Sequence, residues 1–155
     1  MDWKPGSHAS TFGGNPVAIA AALATMDILE KEGILNAAKV GASMSSRLKG
    51  WIKKHSIIGD VRGRGLMIGV EIVKDQTTRE AAPQLRDRIV DLAFERGLLI
   101  LGCGENSIRL APPLVVHQGE ADVALDILED CIAAAQKEGT ITETNHQAAV
   151  HASQS

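Results

Sequence analysis

The sequence predicts an α+β fold, with a helical hairpin at one end, a small mainly antiparallel sheet in the middle and helices packed against it. Three observations predict it. Apolar residues recur at helical spacing over residues 16–32, 34–54, 83–96 and 119–137. β-branched residues alternate around glycines from Ile57 to Val73, and a second strand pattern, residues 107–114, ends at Pro112 and Pro113. With 155 residues, 45% of them hydrophobic, the chain has material for one substantial core.

The chain is organised around residues 6–16, Gly-Ser-His-Ala-Ser-Thr-Phe-Gly-Gly-Asn-Pro, where a hydroxyl-rich loop runs straight into a helix start. Asn15 is a good N-cap and Pro16 has its φ pre-set for the first helical position. Such a loop offers an anion the Ser10 and Thr11 hydroxyls, the amides around Gly13 and Gly14, and the positive end of a helix dipole, and phosphate is the natural ligand. The same residues equally describe a glycine turn leading into a capped core helix, and both readings stay open at this point.

The first helix is expected over residues 16–32, with Gly33 as a left-handed stop. Val17, Ile19 and Leu23, with alanines between them, make its first half apolar nearly all round, as in a helix that is buried or lies in an interface. A second helix, residues 34–54, places Leu35, Ala38, Ala42, Ser45, Leu48 and Ile52 on one face and leaves Lys39, Lys49 and Lys53 to water. Strands follow at 57–61 and 66–73, with Gly63, Arg64 and Gly65 as the turn or bulge between them. Gly63-x-Gly65 is followed by a strand pattern rather than a helix, which excludes a dinucleotide-binding turn. Arg62 and Arg64 are read as solvated or ion-paired structural residues.

Residues 74–82 form a polar loop, and a third helix covers 83–96 with Leu85, Ile89, Leu92 and Ala93 inward and Gly97 closing it. The run 98–101 is continuously apolar, which predicts a buried, central strand. In residues 107–114 Arg109 alternates with apolar neighbours beside a rigid Pro-Pro turn. That is a good mount for a guanidinium gripping a planar carboxylate, or for a rim arginine paired with a surface acid. The last helix, 119–137, turns Ala124, Ile127, Leu128, Cys131 and Ile132 inward and Asp122, Asp126, Glu129 and Asp130 outward. His117 stands at its N-cap position, with Glu120 as half of a capping box. Beyond Gly139 the pattern ends, and residues 140–155 read as a disordered tail in which His146 and His151 are too sparse for a metal site.

A formal net charge of -3 with both signs interspersed supplies no basic stripe for nucleic acid and no polybasic face for a membrane. Tyrosine is absent and aromatics are few, which gives little support to a base-stacking surface. Cys103 and Cys131 lie in different elements without Cys-x-x-Cys spacing, against a disulfide framework and against zinc. The N-terminus lacks signal-peptide anatomy and the apolar runs are short, so a cytoplasmic location is expected.

Ser7-His8-Ala9-Ser10-Thr11-Phe12-Gly13-Gly14-Asn15-Pro16 resembles the segment that class III (subgroup II) aminotransferases carry after their cofactor lysine. Residues 61–69, Val-Arg-Gly-Arg-Gly-Leu-Met-Ile-Gly, are similar to a strand pair of that family's small C-terminal domain. Ile-Arg-Leu-Ala-Pro-Pro-Leu, residues 108–114, looks like the arginine motif ending its sheet. The likeness covers about residues 5–137 and implies the C-terminal small domain of a fold-type I pyridoxal-phosphate (PLP) enzyme. Residues 1–16 would be the cofactor-phosphate loop and large-domain remnant, 17–54 the hairpin leading to the small domain, and 55–139 that domain.

It further implies that Ser10 and Thr11 contact the phosphate of PLP, in the neighbouring subunit of a homodimer. Arg109 would bind the substrate carboxylate or pair with a glutamate of the large domain. The family's Schiff-base lysine and its carboxylate on the pyridine nitrogen precede the loop; Lys4 is too close to it to match, and the other lysines sit on solvent faces or in loops. No catalytic residue is therefore assigned to this chain, nor any metal. The expected activity is that of a larger enzyme, which moves an amino group from an amino acid or ω-amine, 4-aminobutyrate first and acetylornithine next, to a 2-oxo acid. The partner is a large PLP-binding domain, and the chain alone is expected to be inactive. A non-catalytic subunit or interaction module docking through the first helix, and a truncated reading frame, are the alternatives.

Overall fold

The computed structural model describes Lys4, residues 6–7 and 9–152, with side chains as far as Gly139. Helix α1 is Pro16–Ile28; the Asn15 side-chain oxygen accepts from the N–H groups of Val17 at 2.9 Å and Ala18 at 3.2 Å, as its N-cap position requires. No hairpin follows. Gly33 has φ −61°, and one π turn, Leu29–Gly33, carries the helix into α2, Ile34–Trp51. A glycine permits a left-handed stop but does not compel one. Here no proline follows it, and the residue lies beside distant chain: a Cβ on Gly33 would crowd the Leu29 side chain of its own turn at 3.2 Å and stand in ordinary contact with Leu114 at 3.8 Å.

The buried face of α2 is Val40, Gly41, Met44, Leu48 and Trp51. Only Leu48 belongs to both this face and the expected one, Ile52 being half-buried, while Leu35, Ala38 and Ala42 face outward. Alanines carry too little apolar area to fix the phase of a stripe, and the larger Val40, Met44 and Trp51 decide it.

Four antiparallel strands form one sheet in the order β1-β2-β4-β3: β1 Ile58–Arg64, β2 Met67–Ile72, β3 Leu101–Cys103 and β4 Ser107–Leu110. Arg64 pairs with Met67, so Gly63 and Arg64 belong to β1 and the turn is Gly65-Leu66, with Gly65 at φ +57°. A register shift between Ile58 and Asp60 marks a bulge at Gly59. One face of the sheet, with Val61, Ile68, Val70, Ile72, Ile108 and Leu110, is buried in a core shared with α2, with α3 (Pro83–Glu95) and with α4 (Gln118–Ala152).

The run 98–101 is not a central strand. It leads into edge strand β3 with Leu98 and Ile100 half-buried and Leu99 and Leu101 exposed, so the four apolar residues alternate between two environments. Gly97, at φ +81°, ends α3 as expected. At the start of α4 the backbone N–H of His117 donates to Glu120 Oε2 at 2.8 Å, the predicted half of a capping box. Ala121, Leu125, Leu128, Cys131, Ile132 and Ala135 form the buried stripe of α4. The described helix continues through Gly139 to Ala152, across most of the stretch that the sequence reads as a tail; a lone glycine costs a helix only about 1 kcal/mol relative to alanine. Residues 153–155 lie outside the described residues.

Where α2 meets α4, Glu129 accepts from Lys54 at 2.7 Å and Arg47 at 3.5 Å, with His55 Nε2 at 3.6 Å. Partial burial pushes the Glu129 carboxyl up, but Lys54, Arg47 and His55 outweigh it and hold it below its ordinary value. A carboxyl lowered on folding contributes stability above its unfolded value of about 4.3 and loses it as pH falls through the lower folded value. Urea midpoints measured from pH 6 down to pH 3 are expected to fall more steeply in the wild type than in Glu129→Gln; parallel curves would show that Glu129 contributes nothing.

Candidate functional site

The loop before α1 is two consecutive tight turns. The Gly13 N–H donates to Ser10 O and the Asn15 N–H to Phe12 O, both at 3.3 Å, and Gly14 sits at φ +80°. Ser10 and Thr11 are exposed, and among the described residues neither hydroxyl has a hydrogen-bond partner. The donors offered here are two hydroxyls, backbone amides and the N-terminus of a 13-residue helix with no acidic residue in its first turn. That set suits a phosphate group and no cation.

Arg109 is in β4, between Gly69 of β2 and Leu101 of β3, on the face of the sheet turned away from the core. Arg62 of β1 pairs with the other side of Gly69, so Arg62, Gly69, Arg109 and Leu101 make one row across all four strands. Strand spacing of about 4.8 Å sets the two arginine backbones about 10 Å apart, with a bare glycine between them. A Cβ on Gly69 would meet only Arg62 O, at 3.8 Å, so packing within this chain does not require the glycine there. An open groove of about 720 Å³ lies over this face, lined by Arg62, Arg64, Met67, Gly69, Cys103 and Arg109 among others.

Arg62 pairs with Asp60 at 3.1 Å, an exposed pair of the kind expected for it, whereas Arg109 has no hydrogen-bond or ion-pair partner among the described residues. The rim-arginine alternative, which needs a surface acid, therefore finds no support. A fork of five N–H donors on a paired strand, one residue from the buried Leu110, is well placed for a carboxylate.

The loop and Arg109 are not brought together. Eighteen helical residues, 16–33, separate Asn15 from α2, about 27 Å along the axis, and α1 buries none of its side chains. Val17, Leu23 and Met26 are exposed on it. None of the lysines lines the groove; Lys31 pairs with Asp27 and Lys54 with Glu129. No helix among the described residues is long and apolar enough to cross a membrane. The sequence reading passes over Gly69 and Asn36. Gly69 is signalled only by interrupting an alternating strand, Asn36 by a lone amide in the first turn of an amphipathic helix.

The Aminotransferase class-III family model matches residues 1–132. An acetylornithine aminotransferase of Caldanaerobacter subterraneus subsp. tengcongensis is 40% identical over 131 residues, which are 84% of this chain and 31% of that protein. An alanine/serine racemase of Pyrococcus horikoshii is 46% identical over 135 residues, 85% of this chain and 28% of its own. Among solved structures, an amine transaminase from an uncultivated Pseudomonas species in its PLP-bound form superposes with a TM-score of 0.76 at 38% identity, over 83% of this chain and 30% of that one. The chain thus spans about three tenths of the length of the relatives it matches. A match over residues 1–132 takes in the loop at Ser10 and Thr11, the hairpin of β1 and β2 and the strand bearing Arg109, and on that footing the chain belongs to the class-III aminotransferases.

Proposed function

We propose that this chain supplies the phosphate-contacting loop and the small, carboxylate-gripping unit of a PLP-dependent aminotransferase. That enzyme moves an amino group from an amino acid or ω-amine to a 2-oxo acid. Arg109 supports this reading most directly: it is unpaired among the described residues and held at the centre of an open sheet face. When bound, PLP supplies the electron sink for the carbon that carries the amino group. Ser10 and Thr11 would hold its phosphate by their hydroxyls and neighbouring amides, a donor set that fits a dianion. They stand about 27 Å out along the helix from the packed body, which supports a reading in which they would serve a neighbouring subunit, in a homodimer.

Arg109 would orient the substrate by its carboxylate. The lysine that holds the cofactor would come from a large PLP-binding domain, so this chain by itself is inactive. A 4-aminobutyrate-like donor is the favoured substrate with acetylornithine next, and kinship to the acetylornithine enzyme supports the second of these. A cytoplasmic setting belongs to the same reading. The 46% identity to an alanine/serine racemase favours a second reading, in which a proton leaves and returns at the same carbon and no oxo acid is consumed.

The test has two arms. The 155-residue chain with PLP is expected to turn over no amine donor and to trap no cofactor at one defined lysine on reduction; either event overturns the claim that it is inactive alone. Exchanged for its matching region in the Caldanaerobacter enzyme, it is expected to restore amino transfer that depends on a 2-oxo acid. A folded but inert exchange overturns the assignment, and inversion of an amino acid without an oxo acid decides for the second reading.

A further inference from the structure

We infer that Asn36 is a positioning residue for Arg109, an inference that rests on the reading of Arg109 as the carboxylate grip. Asn36 stands in the first turn of α2, and its side-chain nitrogen donates to Leu114 O at 2.7 Å and Val116 O at 2.9 Å. Both partners are carbonyls, so only the NH₂ end of the amide can face them and its orientation is settled by chemistry.

The stretch it grips is the one that follows Arg109. β4 ends at Leu110, and Pro112 and Pro113 have no N–H with which to extend a ladder. From Ala111 to Val116 the backbone is held by a turn, the Val116 N–H donating to Pro113 O at 3.0 Å. Among the described residues, Asn36 is the only side chain that hydrogen-bonds to it. Gly33, one turn earlier, faces the same stretch: a Cβ there would stand in ordinary contact with Leu114, at 3.8 Å, so this end of the helix lies against residues 114–116.

Two stiff prolines connect the clasped stretch to the strand end at Leu110, one residue beyond Arg109, so a displacement at 114–116 is passed back toward the mount of the guanidinium. The same helix runs on through the π turn into α1 and the loop of Ser10 and Thr11. Asn36 therefore joins the phosphate-holding end of the chain to the carboxylate-holding strand.

Gln76 provides the control. Its side-chain nitrogen also clasps backbone carbonyls, of Ile52, His55 and Ile58 at 2.7, 3.2 and 2.9 Å, but at the opposite end of α2. In the ¹⁵N-labelled chain, Asn36→Leu is expected to shift the Arg109 Nε–Hε resonance and to weaken glutarate binding at Arg109 at least fivefold. Gln76→Met is expected to lower the urea midpoint while leaving both unchanged. An Asn36→Leu protein with an unaltered Arg109 resonance, or a Gln76→Met protein that alters it equally, overturns the inference. Asn36→Ser, which keeps a donor but shortens its reach, is read by the same criteria should the leucine variant not fold. If glutarate leaves the wild-type Arg109 signal untouched, the carboxylate reading of Arg109 fails, and the resonance shift in the Asn36 variants still decides whether Asn36 positions it.

Discussion

Gly41→Ala is expected to cost about 3 kcal/mol or more of folding stability, enough to leave the chain largely unfolded in mild urea. Gly41 lies mid-way along α2, where alanine would ordinarily help a helix by about 1 kcal/mol. The opposing effect is larger. A Cβ there would collide with the carbonyl carbon and oxygen of Gly65 and lie 2.8 Å from its Cα, so the obstacle is backbone and not a side chain that can turn aside. Gly65 cannot retreat cheaply, since it forms the β1–β2 turn at φ +57° and the flanking Arg64 is paired with Met67. Gly50→Ala is the matched control: its Cβ would meet nothing within 4 Å, and the helix gain should appear alone. Urea denaturation of the two variants checks both signs, and equal midpoints would remove the close approach of α2 to the turn as a determinant of the fold.

Arg109→Gln, made in the exchange with the Caldanaerobacter enzyme, is expected to lower kcat/KM by about 100-fold or more for a donor bearing a carboxylate. The same change should alter kcat/KM by less than about threefold for an amine donor that lacks one. Arg109→Lys keeps the charge but loses the planar fork, and should fall between the two for the carboxylated donor. That contrast separates recognition from structure. Arg109 is exposed and pairs through its backbone with Gly69 and Leu101, so the side chain can be changed without disturbing the ladder. A loss shared equally by both donors would mean that Arg109 shapes the sheet and does not grip substrate.

Strong local signals carried most of the fold. Asn15-Pro16 announces a helix start, Gly97 a stop, and the alternation through Ile68, Val70 and Ile72 a half-buried strand, because each is governed by backbone sterics or burial within a few residues. Gly33 misled because a glycine is compatible with both a stop and a continuation, and its neighbours Glu32 and Ile34 carry no stop signal of their own. Residues 98–101 misled for a related reason: a short apolar run has the same composition at an edge as at a centre, and strand order is a tertiary fact. Of the candidate site, Arg109 stood out by its place between apolar neighbours and a Pro-Pro turn, which left a carboxylate grip and a rim pair both open; the role proposed for it came from the family resemblance. Its row with Arg62 and Gly69 was not, since register across three pairings has no local signature. Asn36 was invisible for the same reason, its partners standing 78 and 80 residues away.

The π turn at Leu29–Gly33 separates the heading of the loop from the count of residues in the arm that carries it. A π turn holds one residue more than the α turn it replaces, and each residue of an α-helix accounts for about 100° of rotation and 1.5 Å of rise. Removing one residue there would close the π turn to an α turn and leave the arm nearly where it was, whereas removing one from the α-helical residues of α1 would swing Ser10 and Thr11, at its tip, roughly a quarter of the way round the axis. This short segment thus acts as a slack link, a place where the chain can lose a codon while the phosphate donors keep their heading relative to the body that carries Arg109.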